Sequence, residues 1–469
     1  MCHRNASEGL NSRISTLSGK ILRARLPNPG SNNLVDITIE DGLIKSIEGT
    51  HGLVQDLTQG TDQDVRVGVR DARGSLIGPS LCHPHVHLDK AFILSHPRFR
   101  HLQIAKGTFQ EAMDLTSKAK QSFTLQDLLE RGQRMIDESC KAGVTHMRAF
   151  VEVDEVVGLM CLEAGAELKE KARQKGLCHV QLCAFAQLPL HPMDSSGDKI
   201  RSLMREAMHP RFSVDVVGST PYVERDWKSG IENIKWMVDL ALEHDKYLDF
   251  HLDYNVDPKL EPMIFKVIES LKARSWNEQT SKSIVLGHCT RLVYFKDDQW
   301  QHLAAEIGDL PISFVGLPTS DLYMMKAPVS PHSSQTTELR TTLPIPQMIQ
   351  KYGLNCAIGM NNIGNAFTPH GVCDPLYLAN LGVGLYQTGT TDGARLLYEC
   401  VSTRARAAIG FAPGSQRTTP AYSVDLLPGQ PANFILFDNP PPGFEDEHKI
   451  EDQVYYYTTA SRTTVWGGL

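Results

Sequence analysis

The histidine pair in the stretch "HVHLDK" has the spacing of metal ligands on a β-strand. His85 and His87 are two residues apart, so both side chains of a strand would project from one face. His251 and His288 also stand near the ends of apolar runs, and Asn361 ends another. Neutral imidazoles on rigid strands suit zinc or ferrous iron, and three of them leave a position for water, whose pKa such a metal lowers to about 7. These residues therefore predict a polar site that binds one divalent metal ion, Zn or Fe.

Eight apolar, β-rich runs must position these residues. They cover residues 76–89, 144–154, 179–187, 214–218, 247–253, 283–289, 312–318 and 355–361. Helical patterns separate several of them, for example "TLQDLLERGQRMIDESCKAG" before Val144 and "SGIENIKWMVDLALEHD" from Ser229. Runs of this kind are typical of parallel strands buried on both faces, and eight of them alternating with helices predict an α/β fold, the (β/α)8 TIM barrel. An open doubly wound sheet is the alternative, disfavoured because no Gly-rich phosphate loop follows an early strand.

Both ends of the chain have β character. The stretches "LVDITIEDGLIKSIEG" and "PGQPANFILFD" are short and partly alternating, and "EDG" is a hairpin-turn signal. Because chain termini often lie close together, we expect residues 1–79 and 416–469 to form one small discontinuous β-sandwich domain. Residues 80–415 would then form the barrel, whose active site is expected at the C-terminal ends of the strands.

Composition excludes several function classes. The chain has 469 residues, 41% of them hydrophobic, and a net charge of −7, which disfavours a nucleic-acid or anionic-membrane partner. The polar start has no apolar signal region, and no run of ~18 apolar residues predicts a membrane span, so we expect a cytoplasmic protein. Ten cysteines without a CxxC pair are interpreted as reduced core residues. A homo-oligomer is compatible with these data.

Several motifs, in order over nearly the whole chain, carry a resemblance to a known family. "HVHLDKAF" looks like an HxHLDK strand, "GVTHMRAFVEVDEVVGL" resembles "GTTHVRTHVDVDP", and "CAFAQ" resembles "AFPQ". "DVVGSTPYVERDWKSG" is similar to "DVVGAIPHFE", "TSDLYMMK" to "TNLYLQGR", and "PGQPANFILFD" to a motif that returns the chain to a small β-sandwich. With this set, the chain resembles the amidohydrolase superfamily, specifically its cytosine deaminase-like branch.

The resemblance implies roles for the matched residues. It implies one metal ion held by three histidines, namely His85, His87 and His251. His288 would stand beside the metal-bound water. Gln187 would hydrogen-bond the amide or amidine edge of a small cyclic substrate, and Phe367 would stack on its ring. Arg148 is a further candidate for substrate binding, although the scarcity of arginine at strand ends disfavours a highly anionic substrate.

Acids of the resembled family are replaced at two places in this chain. Asn361 stands where the family has an Asp that ligates metal and accepts a proton, and Asn362 stands in place of a second acid. Tyr254 replaces a Glu that shuttles protons, and Phe150 replaces a His. Since general acid–base groups contribute roughly 10²–10⁴-fold each, the replacements predict an altered proton relay.

Candidate groups for that relay are His288, Asp253 and Tyr254, with Asn361 at the position of the lost acid. Asp89 is interpreted as a structural partner of Lys90.

Three functions are compatible with these residues. The first is a divergent hydrolase that cleaves a C–N bond of a small cyclic amide or amidine, by deamination or ring opening. The second is a metal-poor descendant with non-hydrolytic chemistry, such as cyclisation, dehydration or decarboxylation. The third is a non-catalytic binding protein, disfavoured by the four histidines.

Overall fold

Both ends of the chain contribute strands to two four-stranded sheets. The computed structural model describes residues 11–15, 18–27, 34–50, 68–327, 339–411, 422–438 and 449–468. The strands of these sheets are β1 (Asn11–Ser15), β2 (Gly19–Ala24), β3 (Val35–Glu40), β4 (Leu43–Gly49), β5 (Val69–Asp71), β6 (Leu76–Pro79), β15 (Phe434–Asp438) and β16 (Ser461–Trp466). One sheet has the order β1-β16-β15-β6 and the other β4-β3-β2-β5.

The two sheets enclose a core of their own. Ile37 and Ile39 of β3 alternate with more exposed neighbours and pack in one apolar cluster with Phe434 and Leu436 of β15. This alternation is what a sheet with one buried face requires. The predicted "EDG" turn joins β3 to β4, with positive φ at Asp41 and the following glycine. The predicted sandwich built from both termini is confirmed, while its expected boundary at residues 415 and 416 lies outside the described residues.

Eight parallel strands form the second and larger unit. They are β7 (Leu81–His87), β8 (Val144–Glu152), β9 (His179–Ala186), β10 (Val216–Ser219), β11 (Tyr247–Leu252), β12 (Ile284–His288), β13 (Ile312–Gly316) and β14 (Cys356–Ile358). They pair in sequence order, and a parallel bridge between Val86 and Asn361 connects the first to the last. Nearly every residue of these strands is buried, as expected for a sheet covered on both faces. The predicted (β/α)8 barrel is confirmed.

Helices surround the barrel. They are α1 (Phe109–Lys120), α2 (Leu125–Lys141), α3 (Met160–Gln174), α4 (Ser196–Glu206), α5 (Trp227–Glu243), α6 (Ile264–Ala273), α7 (Trp276–Gln279), α8 (Asp297–Ile307), α9 (Pro318–Met324), α10 (Ile345–Tyr352), α11 (Pro375–Leu385), α12 (Thr391–Cys400), α13 (Thr403–Ala408) and α14 (Asp452–Tyr455). The two helices predicted from sequence are α2 and α5. A capping box between Thr124 and Asp127 starts α2.

The first apolar run, predicted to be a single strand, forms two strands in the structure. It divides at Ser80 into β6, which pairs with β15 of the sandwich, and β7, which pairs with β8 of the barrel. Both strands are fully buried, one in the core of the sandwich and one in the core of the barrel. The run is therefore apolar throughout, and the sequence does not show where it divides. All nine cysteines in the described part of the chain are buried and form no disulfide bond there, as expected for reduced core residues. None of the described helices is long and apolar enough to cross a membrane.

Candidate functional site

Three imidazole rings, here called the histidine triad, converge at the C-terminal end of the barrel. His85 and His87 lie on β7, and His251 lies on β11. The Nε2 atom of His251 is 3.0 Å from Nε2 of His85 and 2.9 Å from Nε2 of His87. Two nitrogens bound to one tetrahedral zinc ion at ~2.0–2.1 Å lie roughly 3.3 Å apart, so the spacing is close to that of metal ligands.

Burial keeps the triad neutral. Burial and neighbouring positive charges lower the pKa of all three rings well below the ordinary value of histidine. Phe150 forms an apolar wall beside them, with its ring centroid 4.2 Å from that of His85 and 5.0 Å from that of His251. Since a neutral imidazole keeps a lone pair for a metal, this donor set fits zinc or ferrous iron.

The backbone at the strand ends is shaped around the triad. A Cβ atom at Gly287 would lie 2.8 Å from Cε1 of His85, so glycine makes room for that ring. Asp253, His288 and Asn361 follow or end three barrel strands with φ values of 48°, 66° and 62°. Non-glycine residues rarely adopt this left-handed conformation, which concentrates at functional sites.

His288 forms a buried dyad with a carboxylate that was not predicted from sequence. Its Nδ1 atom lies 2.9 Å from Oδ1 of Asp321. Asp321 is the fourth residue of α9, and its side chain is fully buried. Asp321 also accepts hydrogen bonds from the Thr342 hydroxyl at 2.6 Å and the Leu317 amide at 3.4 Å. Because a carboxylate accepts the Nδ1 proton, Nε2 of His288 keeps its lone pair. A ring nitrogen of His288 lies within 4.8 Å of ring nitrogens of two triad members.

Tyr254 covers the dyad with its ring. The centroids of Tyr254 and His288 are 3.7 Å apart in a stacked arrangement, and the phenol donates a weak hydrogen bond of 3.4 Å to the Ser320 carbonyl. Burial raises the pKa of Tyr254 well above its usual value, so the phenol stays protonated at neutral pH. Phe109 and Tyr222 contact the Tyr254 ring edge-on. Tyr254 therefore acts as part of an aromatic enclosure.

A cavity lies in front of these groups. It is lined by His87, Lys90, Phe109, Gln187, Tyr222, His251, Tyr254, His288, Asn361, Asn362 and Phe367. Most of the residues predicted from sequence are therefore brought together in one cavity.

The two asparagines at the end of the last strand differ in their contacts. Asn361 has a buried Oδ1 atom without a hydrogen-bond partner in the described part of the chain, and its backbone amide donates to the His85 carbonyl at 2.9 Å. Asn362 accepts a hydrogen bond of 2.8 Å from Asn365, whose own Oδ1 atom accepts one of 3.0 Å from the Phe367 amide. Asn365 thereby positions the Phe367 ring, a role that no sequence motif indicated.

A buried network of charges lies behind the cavity wall. Lys90 forms an ion pair of 2.5 Å with Glu152, whose other oxygen lies 2.6 Å from Lys120. Lys120 also pairs with Asp154 at 2.5 Å. Burial opposes ionisation of Glu152, but the two ammonium groups outweigh it and hold its pKa at about 2. These residues lie far apart in the sequence, and only the "HLDK" motif pointed towards one of them.

Two residues predicted for the site, Arg148 and Asp253, are not among the residues that line the cavity. Arg148 is fully buried inside the barrel, where its guanidinium lies 2.9 Å from the Asp249 carboxylate. The two opposite charges compensate each other at this buried position. The Asp253 carboxylate accepts hydrogen bonds of 2.7 Å and 3.2 Å from the Met263 and Ile264 amides at the start of α6, and burial raises its pKa to about 7.

The sequence predicts that Asp89 is a structural partner of Lys90. Asp89 accepts a hydrogen bond of 2.9 Å from the Glu152 amide instead of pairing directly with Lys90. Burial raises the pKa of Asp89 to about 6, with neighbouring Lys90 opposing the shift. Asp89 is thus structural, as expected, but its partner is the backbone of the next strand.

Comparison with known proteins gives one sequence relative. No protein-family model matches the chain. The chain is 26% identical to the uncharacterized protein YahJ of Escherichia coli K12 over 321 residues, which is 67% of this chain. The alignment covers 61% of the E. coli protein, so the matched part spans less than two thirds of that relative.

Solved structures are similar over almost the whole chain. A 5-methylcytosine deaminase from Klebsiella pneumoniae, liganded with 5-fluorocytosine, has a TM-score of 0.75 and 22% identity, with 96% of each chain covered. N-isopropylammelide isopropylaminohydrolase from Burkholderia multivorans has a TM-score of 0.69 and 16% identity, over 96% of this chain and 97% of that one. Guanine deaminase from C. acetobutylicum has a TM-score of 0.59 and 12% identity, over 93% and 96%. The chain therefore shares the fold of these deaminases and of this aminohydrolase, as the resemblance of its motifs predicted.

Proposed function

We propose that this protein is a metal-dependent amidohydrolase that cleaves a C–N bond of a small cyclic amide or amidine. The observation that carries the proposal is the convergence of three neutral imidazole nitrogens at 2.9–3.0 Å spacing beside a His–Asp dyad. The solved structures with this fold include deaminases and an aminohydrolase, which supports the same class of chemistry.

The triad would hold one divalent metal ion through its Nε2 atoms. When bound, zinc or iron would supply Lewis-acid polarisation of the substrate and a water molecule of lowered pKa. Phe367 and Gln187 would hold the substrate ring, and the aromatic side chains of Phe109 and Tyr254 would exclude bulk water from the cavity.

In this proposal, His288 carries out the proton transfer. Tyr254 is held in its protonated form, and Asp253 does not line the cavity, so His288 is the base of this proposal. Nε2 of His288 accepts a proton from the attacking water, Asp321 at Nδ1 stabilises the resulting imidazolium, and the same Nε2 returns the proton to the leaving nitrogen. This dyad compensates for the acids that are replaced by asparagine and tyrosine.

A second candidate function is non-hydrolytic chemistry in the same cavity. It is favoured by one observation: none of the cavity-lining residues in the described part of the chain carries a carboxylate. Such a site has no carboxylic acid for proton transfer to the leaving nitrogen, which a cyclisation, dehydration or decarboxylation need not require.

Metal content and product release together test the proposed function. We expect the purified protein to carry one equivalent of zinc or iron by elemental mass spectrometry. We also expect it to open or deaminate at least one member of a panel of cyclic amides and amidines, followed by ammonia release and chromatography. Removal of the metal with a chelator should abolish turnover, and re-addition should restore it. Absence of metal after expression in zinc- and iron-rich medium would contradict the proposal and favour the second candidate.

Restoring the acid at the last strand should strengthen the metal site. We expect Asn361→Asp to lower the dissociation constant for zinc by about 10-fold or more, because it adds an anion beside three neutral ligands. The left-handed backbone at Asn361 is tolerated by Asp as well as by Asn, so little strain is added. Competition with a chromogenic chelator gives the constant, and Asn365→Asp, which lies outside the cavity lining, is the control. An unchanged constant would place the carboxylate outside reach of the metal.

The same change tests whether proton transfer alone is missing for deamination. Combined with Tyr254→Glu, Asn361→Asp should raise the rate of ammonia release from a simple cyclic amidine such as cytosine. The reason is that the fold, the histidines and the cradle of Gln187 and Phe367 are already in place. A double variant that binds a full equivalent of metal but releases no ammonia from any amidine tested would make the second candidate the leading one.

A further inference from the structure

One face of the His288 ring is covered by the ring of Tyr254. The two ring centroids are 3.7 Å apart and the ring planes are inclined by 27°, so the rings stack face to face. Both side chains are buried and both line the cavity. The rings of His251 and His85 lie farther from His288, at 5.2 Å and 6.0 Å, and are inclined more steeply to it. Tyr254 is therefore the closest ring contact of His288 among the described residues.

The hydrogen bond to Asp321 does not by itself fix the plane of the His288 ring. It joins one ring nitrogen, Nδ1, to one carboxylate oxygen at 2.9 Å. A hydrogen bond tolerates a range of angles, and the χ2 torsion of histidine has broad minima, so the ring could still tilt and swing Nε2 aside. A stack against a flat ring opposes this tilt, because a tilted ring loses its face-to-face contact. The two contacts together fix the direction of Nε2.

The backbone holds Tyr254 over His288. The Cys289 amide donates to the Leu252 carbonyl at 2.9 Å, and the Arg291 amide donates to the Asp253 carbonyl at 3.0 Å. These two bonds link the chain that follows β11 to the chain that follows β12, so the two stacked rings keep their relative position. The hydrogen bond of the phenol hydroxyl, at 3.4 Å, is weak by comparison. The ring of Tyr254 is thus held mainly by its backbone and its packing.

We propose that Tyr254 is a positioning residue that acts through His288: the face of its ring holds the imidazole plane so that Nε2 is directed for proton transfer in the cavity. The inference rests on the proposed function for the reaction, but the fixed ring can be tested without turnover. The proposal assigns the role to the aromatic ring and not to the hydroxyl group. Phenylalanine should therefore replace Tyr254, whereas leucine, which is apolar but has no flat face, should not.

A double-mutant cycle tests whether Tyr254 acts through the dyad or only through the substrate. The kcat of Tyr254→Leu, Asp321→Asn and the double variant would be measured on the substrate found in the panel. We expect Tyr254→Leu to lower kcat by about 10-fold in the wild type, within the range of coupling between residues in contact. In the Asp321→Asn background it should lower kcat by less than about twofold, because the dyad is already broken there. Tyr254→Phe should restore most of kcat.

The proton between His288 and Asp321 reports on the ring without turnover. In zinc-containing buffer this buried proton should give a far-downfield proton NMR resonance, which Asp321→Asn should remove. We expect the resonance to persist in Tyr254→Phe and to be lost through exchange with water in Tyr254→Leu, because an uncovered ring opens more often. Tyr294→Leu is the matched control. It removes a tyrosine of the same apolar cluster that does not line the cavity, and it should keep the resonance.

Each outcome decides the inference. A resonance that survives in Tyr254→Leu, or that is missing from the wild type, would overturn it. So would a loss of kcat that is equal in both backgrounds, or a Tyr254→Phe variant as impaired as Tyr254→Leu. Should Tyr254→Leu fail to fold by circular dichroism, Tyr254→Met replaces it. The two proposals fail separately: turnover with an equal loss in both backgrounds refutes only this inference, and a Tyr254-dependent resonance in a protein without metal or turnover refutes only the hydrolase.

Discussion

His251→Ala should remove metal binding and all metal-dependent turnover. The Nε2 atom of His251 lies within 3.0 Å of the Nε2 atoms of His85 and His87. The variant therefore keeps only two of the three metal ligands. Loss of one neutral ligand of three is expected to weaken the site by several orders of magnitude. Metal content by elemental mass spectrometry after gel filtration measures the effect, and the expected value is below about 0.1 equivalent.

A matched control for this variant exists on the same strand as the other two ligands. His83→Ala also removes a buried histidine, but Nε2 of His83 lies 3.1 Å from the Ser139 hydroxyl of α2, outside the cavity. We expect this control to lose stability but to keep its metal, because His83 does not face the triad. Equal metal loss in both variants would indicate unfolding instead of ligand loss, and full metal retention in His251→Ala would refute the triad as the metal site.

Asp321→Asn should lower kcat by roughly 10²–10⁴-fold while metal content stays at the wild-type level. The substitution keeps the shape of the side chain but removes the charge that stabilises a protonated His288 and the acceptor that fixes its tautomer. KM should change little, because Asp321 is fully buried behind His288 and does not line the cavity.

Steady-state kinetics on the substrate found in the panel measure this effect. Thr342→Val is the matched control, since it removes the other side-chain hydrogen bond to Asp321, of 2.6 Å, and keeps the carboxylate. We expect that control to retain most of kcat. A decrease of less than about threefold in Asp321→Asn would show that His288 does not carry the proton, because loss of a working dyad costs far more. The relay would then involve other groups of the cavity.

Much of the fold could be predicted from sequence because its signals are local. Continuous apolar runs identify strands buried on both faces, and their alternation with amphipathic patterns identifies the barrel. The strand-end positions of His85, His251 and His288 follow from the same periodicity, since the barrel brings those ends to one rim. Gln187 and Phe367 were matched through motifs, and both line the cavity.

Local periodicity alone would have been misleading within "CHPHVH". His83, His85 and His87 share a spacing of two, which predicts one face for all three. In the structure, a register irregularity between His83 and Val86 interrupts pairing with the next strand, and His83 contacts Ser139 instead of the cavity. Backbone irregularities of this kind depend on the partner strand, so the sequence of one strand does not reveal them.

The sequence by itself determined the barrel, the sandwich built from both termini, and the identity of the histidines at the strand ends. Only the tertiary structure decided which charges face the substrate. Arg148 forms an ion pair with Asp249 inside the barrel, and Asp253 accepts a hydrogen bond at the start of α6. Lys90 is a lining residue of the cavity. The physical reason is that a charge is placed by its counter-charge, and such partners come from distant elements of the chain. Hydrophobic periodicity is written along one segment, whereas ion pairs and proton relays are formed between segments.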